Sequence, residues 1–158
     1  MALHSLLTFD SPDAATGALV ERLAPLDCEQ VQLSASVGRI LAKPVIADRP
    51  SPPCDVSAMD GYALRLADLA APLTPLAGEA SIGRPPLELP KGHAMRIVTG
   101  APVPRGAETV VRREDVDEMP DAFRLRIPRE AISAGQHIRR VGENIAEGRV
   151  VLEAGRLI

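Results

Sequence analysis

Two short segments hold residue types that could do chemistry. The first, Ser57-Ala58-Met59-Asp60-Gly61-Tyr62-Ala63, places a hydroxyl, a carboxylate and a phenol close together. A carboxylate such as Asp60 can hold a hard divalent cation directly or through water, and hydroxyl groups can orient oxyanions. Taken alone, Asp60-Gly61 reads as a turn, because glycine accepts positive φ and aspartate bonds to nearby backbone. The proline-rich Arg49–Asp55 just before it shifts that reading, since it would set these polar groups at the mouth of a small domain. The second segment runs from Arg96 to Pro104 and continues through Gly106, Val110 and Val111 to Glu114. Within it, Thr99-Gly100-Ala101 either ends a strand, with the threonine hydroxyl capping a turn, or offers a hydroxyl and exposed N–H groups as an anion-binding concavity. On spacing alone the strand end is the better reading.

The elements that must position these groups are short. Ser11 can cap a helix that begins at Pro12, with Asp13 in its positive first turn, Ala15, Leu19 and Leu23 on one face, and Pro25 as its stop. An alternating segment over Glu29–Leu33, a helical turn over Val37–Ala42 and a strand over Pro44–Ala47 are expected next. Three prolines in Arg49–Asp55 make that stretch a rigid extended connector and a candidate domain boundary. From Val56 to Glu114, Gly and Pro recur too often for a long helix, which suits a small barrel-like unit of short strands. Ala107–Glu114 and Ala122–Ile127 read as an antiparallel hairpin, with Phe123, Leu125 and Ile127 facing one way and Arg124 and Arg126 the other. Beyond Ala134, Gly135, Gly142, Gly148 and Gly155 punctuate short strands carrying Ile138, Ile145, Val150 and Leu152. The apolar ending at Leu157-Ile158 suggests a longer ancestor.

Composition narrows the function classes. With 46% hydrophobic and 25% charged residues in 158, the chain has the make-up of a soluble globular protein. Folding buries about 70% of the unfolded surface at this size, so disulfides and structural metals are not required. Only 2% of residues are aromatic, which argues against a stacking platform for single-stranded nucleic acid. The 21 acidic and 18 basic residues are interspersed, which argues against a nucleic-acid partner. Cys28 and Cys54 lack CxxC spacing, and His4, His93 and His137 are scattered, so a histidine–cysteine metal site is not expected. No secretory leader or long apolar run stands out, which points to a cytoplasmic protein that does not enter membranes. Arg139-Arg140 reads as a solvated basic pair.

Together the motifs resemble the MoeA family of molybdopterin molybdotransferases, whose eukaryotic relatives include the corresponding domain of gephyrin. The resemblance rests on residues 57–63, on R-I-x-T-G-A-P-x-P at 96–104, and on G-x-x-I-R-x-x-G-E-N-I at 135–145, in order and in spacing. It implies an α+β fold, mostly β: an N-terminal helix over 1–25, an elongated β-ribbon unit from 26–48 with 128–158, and a small barrel-like unit over 49–127. Family members continue into a large α/β domain and a C-terminal β-domain, neither of which is found in these residues. The implied activity is molybdenum cofactor biosynthesis: molybdate is inserted into adenylylated molybdopterin with Mg2+ present and AMP released. Asp60 and Thr99 match positions at the family's active cleft, with Asp60 the metal ligand and Ser57, Gly100 and Ala101 beside the substrate. The cleft is shared across a homodimer, so the chain alone is expected to be inactive unless an α/β molybdopterin-binding partner completes it. Glu114 also matches a family position, and Asn144 departs from the family's usual acidic residue. The alternative is a non-catalytic dimerisation or pterin-binding module with the same fold.

Overall fold

Aliphatic runs cut at short intervals by Gly and Pro leave room only for strands of two to seven residues. A computed structural model of the protein shows this over the residues it describes, 8–24, 26–70 and 74–158. Helix α1 spans Pro12–Val20. The strands are β1 (Val45–Ile46), β2 (Val56–Ser57), β3 (Gly61–Leu64), β4 (Thr74–Ala80), β5 (Ala94–Ile97), β6 (Thr109–Arg112), β7 (Val116–Glu118), β8 (Ala122–Leu125), β9 (Ile138–Arg139) and β10 (Val150–Leu152). The architecture is mostly β with one helix. It divides into a terminal unit, Met1–Lys43 with Ala154–Ile158, and a central unit, Pro44–Glu153.

In the terminal unit, Ser11 caps α1 as its sequence implies: its Oγ accepts the Ala14 N–H at 3.1 Å, with Pro12 in the first turn. The helix closes at Val20, and the expected stop, Pro25, lies outside the described residues. No residue of α1 is buried, and Leu19 and Leu23 are 63% and 72% exposed. The strand expected over 29–33 does not form; no described strand pairs with it, and Leu33 begins a 3-10 turn instead. Nor is 37–42 helical. Gly38, at φ 81°, turns the chain, and 38–41 runs antiparallel to the tail through Gly38 N–H to Ile158 O (2.7 Å), Leu41 N–H to Arg156 O (2.7 Å) and Ile158 N–H to Arg39 O (2.9 Å). Backbone groups left open by a single helical turn find better partners in that ladder.

The central unit opens and closes on one ribbon, in which β1 pairs antiparallel with β10, Val45 facing Leu152. The proline-rich Arg49–Asp55 lies inside this unit and does not separate it from the other. Ser51 N–H donates to Ile145 O (2.9 Å), Asn144 N–H to Ser51 O (2.9 Å) and Gly142 N–H to Pro52 O (3.0 Å). Asp55 takes Arg140 Nη1 at 2.6 Å and Val141 N–H at 2.8 Å. Proline lacks a donor but keeps its carbonyl, so a proline-rich segment can still be tied to a neighbour.

Six strands form one curled half-barrel sheet in the order β6-β3-β5-β4-β8-β7, with β4 parallel to β5 and the other pairs antiparallel. β3 is buried at every residue because both sheet faces are covered. Tyr62 and Leu64 pack with Phe123 and Val111 on one side, while Ala63 packs with Met95, Ile97 and Val110 on the other. The expected hairpin is redrawn: 109–112 pairs with β3, and β8 pairs with β7 inside the stretch read as a turn. The alternation in 122–127 is as read, with Phe123 buried, Leu125 and Ile127 packed on the core, and Arg124 and Arg126 exposed.

Candidate functional site

Gly61 opens β3 between Ile97 of β5 and Arg112 of β6. Its φ is not positive: Gly61 is the first residue of the strand, and the chain bends over 58–60 just before it. A Cβ built there would stand 1.9 Å from the Val111 carbonyl oxygen. Glycine is needed for close backbone approach, and that approach sets Asp60 at the mouth of the sheet. Because β3 and β5 are antiparallel, the residue before β3 meets the residues just after β5. Asp60 Oδ1 accepts the Thr99 N–H at 2.7 Å and the Thr99 hydroxyl at 2.8 Å, and the Asp60 carbonyl accepts the Arg113 N–H at 3.0 Å. Both residues are exposed and on one side of the sheet. The Thr99 N–H, then its hydroxyl, then the Arg113 charge hold the Asp60 carboxyl below the ordinary carboxylate range.

The anion-binding concavity anticipated at Thr99-Gly100-Ala101 is not open. Thr99 N–H is spent on Asp60, Gly100 N–H donates to Ser57 O (2.8 Å), and Ala101 N–H to Val98 O (3.0 Å). Ser57 is buried; its hydroxyl donates to Met59 O at 2.6 Å and accepts the Met59 N–H at 3.2 Å. Ala101 is also buried, and its carbonyl accepts the Ser57 N–H at 3.0 Å. The loop folds onto β2 and satisfies its own amides, so Ser57, Gly100 and Ala101 fasten Thr99 beside Asp60 and present no free donors.

The site also includes Arg113 and Glu118, which the sequence reading did not single out, beside Tyr62 and Arg96 from its two segments. A cleft of about 100 Å³ beside Asp60 is lined by Tyr62, Arg96, Arg113 and Glu118 among others. Tyr62 is buried, donates its hydroxyl to Glu118 Oε1 at 2.6 Å, and stacks on Phe123 with ring centres 4.6 Å apart. Arg113 holds the same carboxylate, Nε to Oε1 at 2.9 Å and Nη2 to Oε2 at 3.1 Å. The Arg96 guanidinium stands 5.9 Å from the Tyr62 ring centre, placed there by the Tyr62–Arg96 register pair. Burial, then the Glu118 bond, pushes the Tyr62 phenol up, and the Tyr62 hydroxyl, then Arg113, holds Glu118 down. Arg96 opens the second motif in sequence, but nothing local brings Glu118 to it.

The other residues singled out take minor places. Glu114 is exposed in a 3-10 turn over 113–115. Arg139 and Arg140 are paired, not simply solvated: Arg140 holds Asp55, and Arg139 donates to Asn144 Oδ1 at 2.5 Å. Asn144 in turn donates to Ser51 Oγ at 3.3 Å, a bond in which the side chain is the donor, as an ionised acid cannot be. His4 lies outside the described residues; His93 sits by Lys91 O, and His137 takes the left-handed region at φ 57°. Among the described residues no three His, Cys, Asp or Glu side chains gather as a metal cluster, and no helix is long and apolar enough to cross a membrane. For Mg2+ this donor set fits only as a single-point attachment. Asp60 leaves Oδ2 without a donor among the described residues, while both Glu118 oxygens are engaged.

Comparison with known proteins gives the family. The family described as the MoeA N-terminal region (domain I and II) matches residues 11–158. Molybdopterin molybdenumtransferases from Haemophilus influenzae and Synechococcus elongatus are each 39% identical, over 90% and 92% of the chain, which spans 36% and 38% of their lengths. A crystal structure of a molybdopterin biosynthesis MoeA protein from Pyrococcus horikosii superposes with a TM-score of 0.73 at 28% identity, over 82% of this chain and 34% of that one. Sequence, fold and family coverage agree, and the chain belongs to the MoeA N-terminal family.

Proposed function

We propose that these residues form one wall of a molybdopterin molybdotransferase site, acting in molybdenum cofactor biosynthesis to insert molybdate into adenylylated molybdopterin. The observation that carries the reading is the Asp60–Thr99 clasp. An exposed carboxylate is held ionised and oriented at the mouth of the sheet by two donors to a single oxygen. Asp60 would offer Oδ2 to Mg2+ as one ligand, with water and substrate phosphate supplying others. The bound ion would neutralise phosphate charge, while Thr99 keeps the carboxylate aimed. Positioning of this kind works only when both walls of a cleft are in register. The second wall would come from an α/β molybdopterin-binding domain, across a homodimer or from a separate partner. A cytoplasmic setting goes with this reading, since Cys28 and Cys54 are free thiols.

The 158 residues alone are expected to give no AMP release from adenylylated molybdopterin and molybdate. Grafted in place of the matching region of the Haemophilus influenzae relative, they should support insertion, and Asp60→Asn in that graft should slow it by roughly 100-fold with unchanged folding. Full turnover by the isolated chain, or an unaffected Asp60→Asn graft, would sink the proposal. One observation favours a second reading, a dimerisation module: Leu19, Leu23, Leu26, Leu33 and Val37 are each more than 60% exposed.

A further inference from the structure

The cleft beside Asp60 carries two cations, Arg96 and Arg113, whose guanidinium groups make no hydrogen bond to the Asp60 carboxylate. Arg96 reaches it from β5, and Arg113 from the turn after β6. The Arg113 side chain is 68% exposed and is held by one carboxylate, Glu118. Glu118 is tethered in turn by the hydroxyl of Tyr62, whose ring is fixed in the core. Two guanidinium groups and a rigid phenol on one small cleft form a donor set suited to a tetrahedral oxyanion, and arginine's planar fork matches phosphate in particular. Among the residues lining the cleft the charges of Asp60 and Glu118 cancel those of Arg96 and Arg113 while Glu118 stays in place, and Glu79 adds a further negative charge beside Arg96. Glu118, 29% exposed, meets Arg113 at two points and takes the Tyr62 hydroxyl besides, so only an anion with more charge and more acceptor oxygens than one carboxylate can take over Arg113 and that hydroxyl.

We infer that this cleft is a phosphate site gripped by Arg113, Arg96 and the Tyr62 hydroxyl, and that Glu118 is a built-in competitor which an incoming phosphate displaces. The inference deepens the proposed function, because a phosphate-bearing substrate would then seat its phosphate next to Asp60. It can nonetheless fail separately.

The test is titration of the isotopically labelled 158-residue chain with inorganic pyrophosphate, without magnesium and at constant ionic strength, followed by amide NMR. Saturable shifts are expected at Gly61, Tyr62, Ile97, Arg113 and Glu118, and none with chloride alone. Glu118→Gln should tighten binding about fivefold, and Arg113→Gln should weaken it about tenfold while the spectrum stays native. Were Glu118 merely an anchor for Tyr62, Glu118→Gln would lower stability and leave the affinity where it was, which overturns the inference. Shifts that do not saturate, or that spread over remote arginines, overturn it as well. Asp60→Asn separates the two readings: it should keep or tighten pyrophosphate binding, since it removes a neighbouring negative charge, while slowing insertion by roughly 100-fold in the grafted enzyme.

Discussion

Tyr62 is the single tyrosine of a chain without tryptophan, so phenolate absorbance reports on one group. Burial makes its charged form costly, and the Glu118 carboxylate beside it adds to that cost. The native phenol should therefore ionise above its ordinary value of 10.0, and Glu118→Gln should bring the midpoint back toward that value. The stability effect has a defined sign. The unfolded chain loses its phenolic proton first, so this contribution is intact below the ordinary value and fades as pH climbs through the native one. Asp60 and Glu118 act at the other end of the scale: their lowered carboxyls contribute above the ordinary carboxylate range, and the contribution goes as pH falls through their native values. A Tyr62 midpoint at or below the ordinary phenol value, read by near-ultraviolet absorbance, would contradict the packing described. At this scale Asp60 and Thr99 came to notice through the family resemblance of their motifs, since spacing alone favoured a turn and a strand end. Their mutual hydrogen bonds were not, since the two residues lie far apart in sequence and meet only through strand pairing. Glu118 was hidden for the same reason, within a charged stretch that reads as a turn.

Among elements, β3 is the one on which the site depends, and Gly61 is its tightest point. Gly61→Ala would drive a methyl group into the Val111 carbonyl, which is backbone and cannot swing aside. We expect a loss of about 2 kcal/mol in urea unfolding, together with weakened β3–β6 pairing in hydrogen exchange. A neutral Gly61→Ala would show that the strands are not so closely approached. Sequence periodicity located several elements well: the Ser11-capped helix, the strand near 45, and the alternation through Phe123, Leu125 and Ile127. It chose the wrong partner for 109–112, because alternation says which face a side chain takes and nothing about which strand lies next to it. β4 escaped notice, since Pro75 and Gly78 interrupt the pattern by which a strand is recognised.

For the whole molecule, the aliphatic residues left open between Leu19 and Ile40 form a large apolar surface, and we propose a second copy of the chain as their cover, as the family resemblance implies. Light scattering at micromolar concentration should return a dimer mass, and Leu33→Asp combined with Val37→Asp should shift it to the monomer; a monomer from the unmodified chain would reject that assembly. Composition correctly indicated an aliphatic core, but it could not place the unit boundary. Prolines suggested a linker at 49–55, where the chain is instead tied to 142–145. The division falls at Lys43 and Ala154, so the central unit is an insert within the terminal one. During synthesis that nesting reverses the usual order in which the earlier part folds first. Residues 38–41 cannot pair until 155–158 have left the ribosome, whereas the central unit has all its strands by Leu152. Residues 38–41 thus emerge early and pair last, so the backbone edge they present stays open through most of the chain's synthesis.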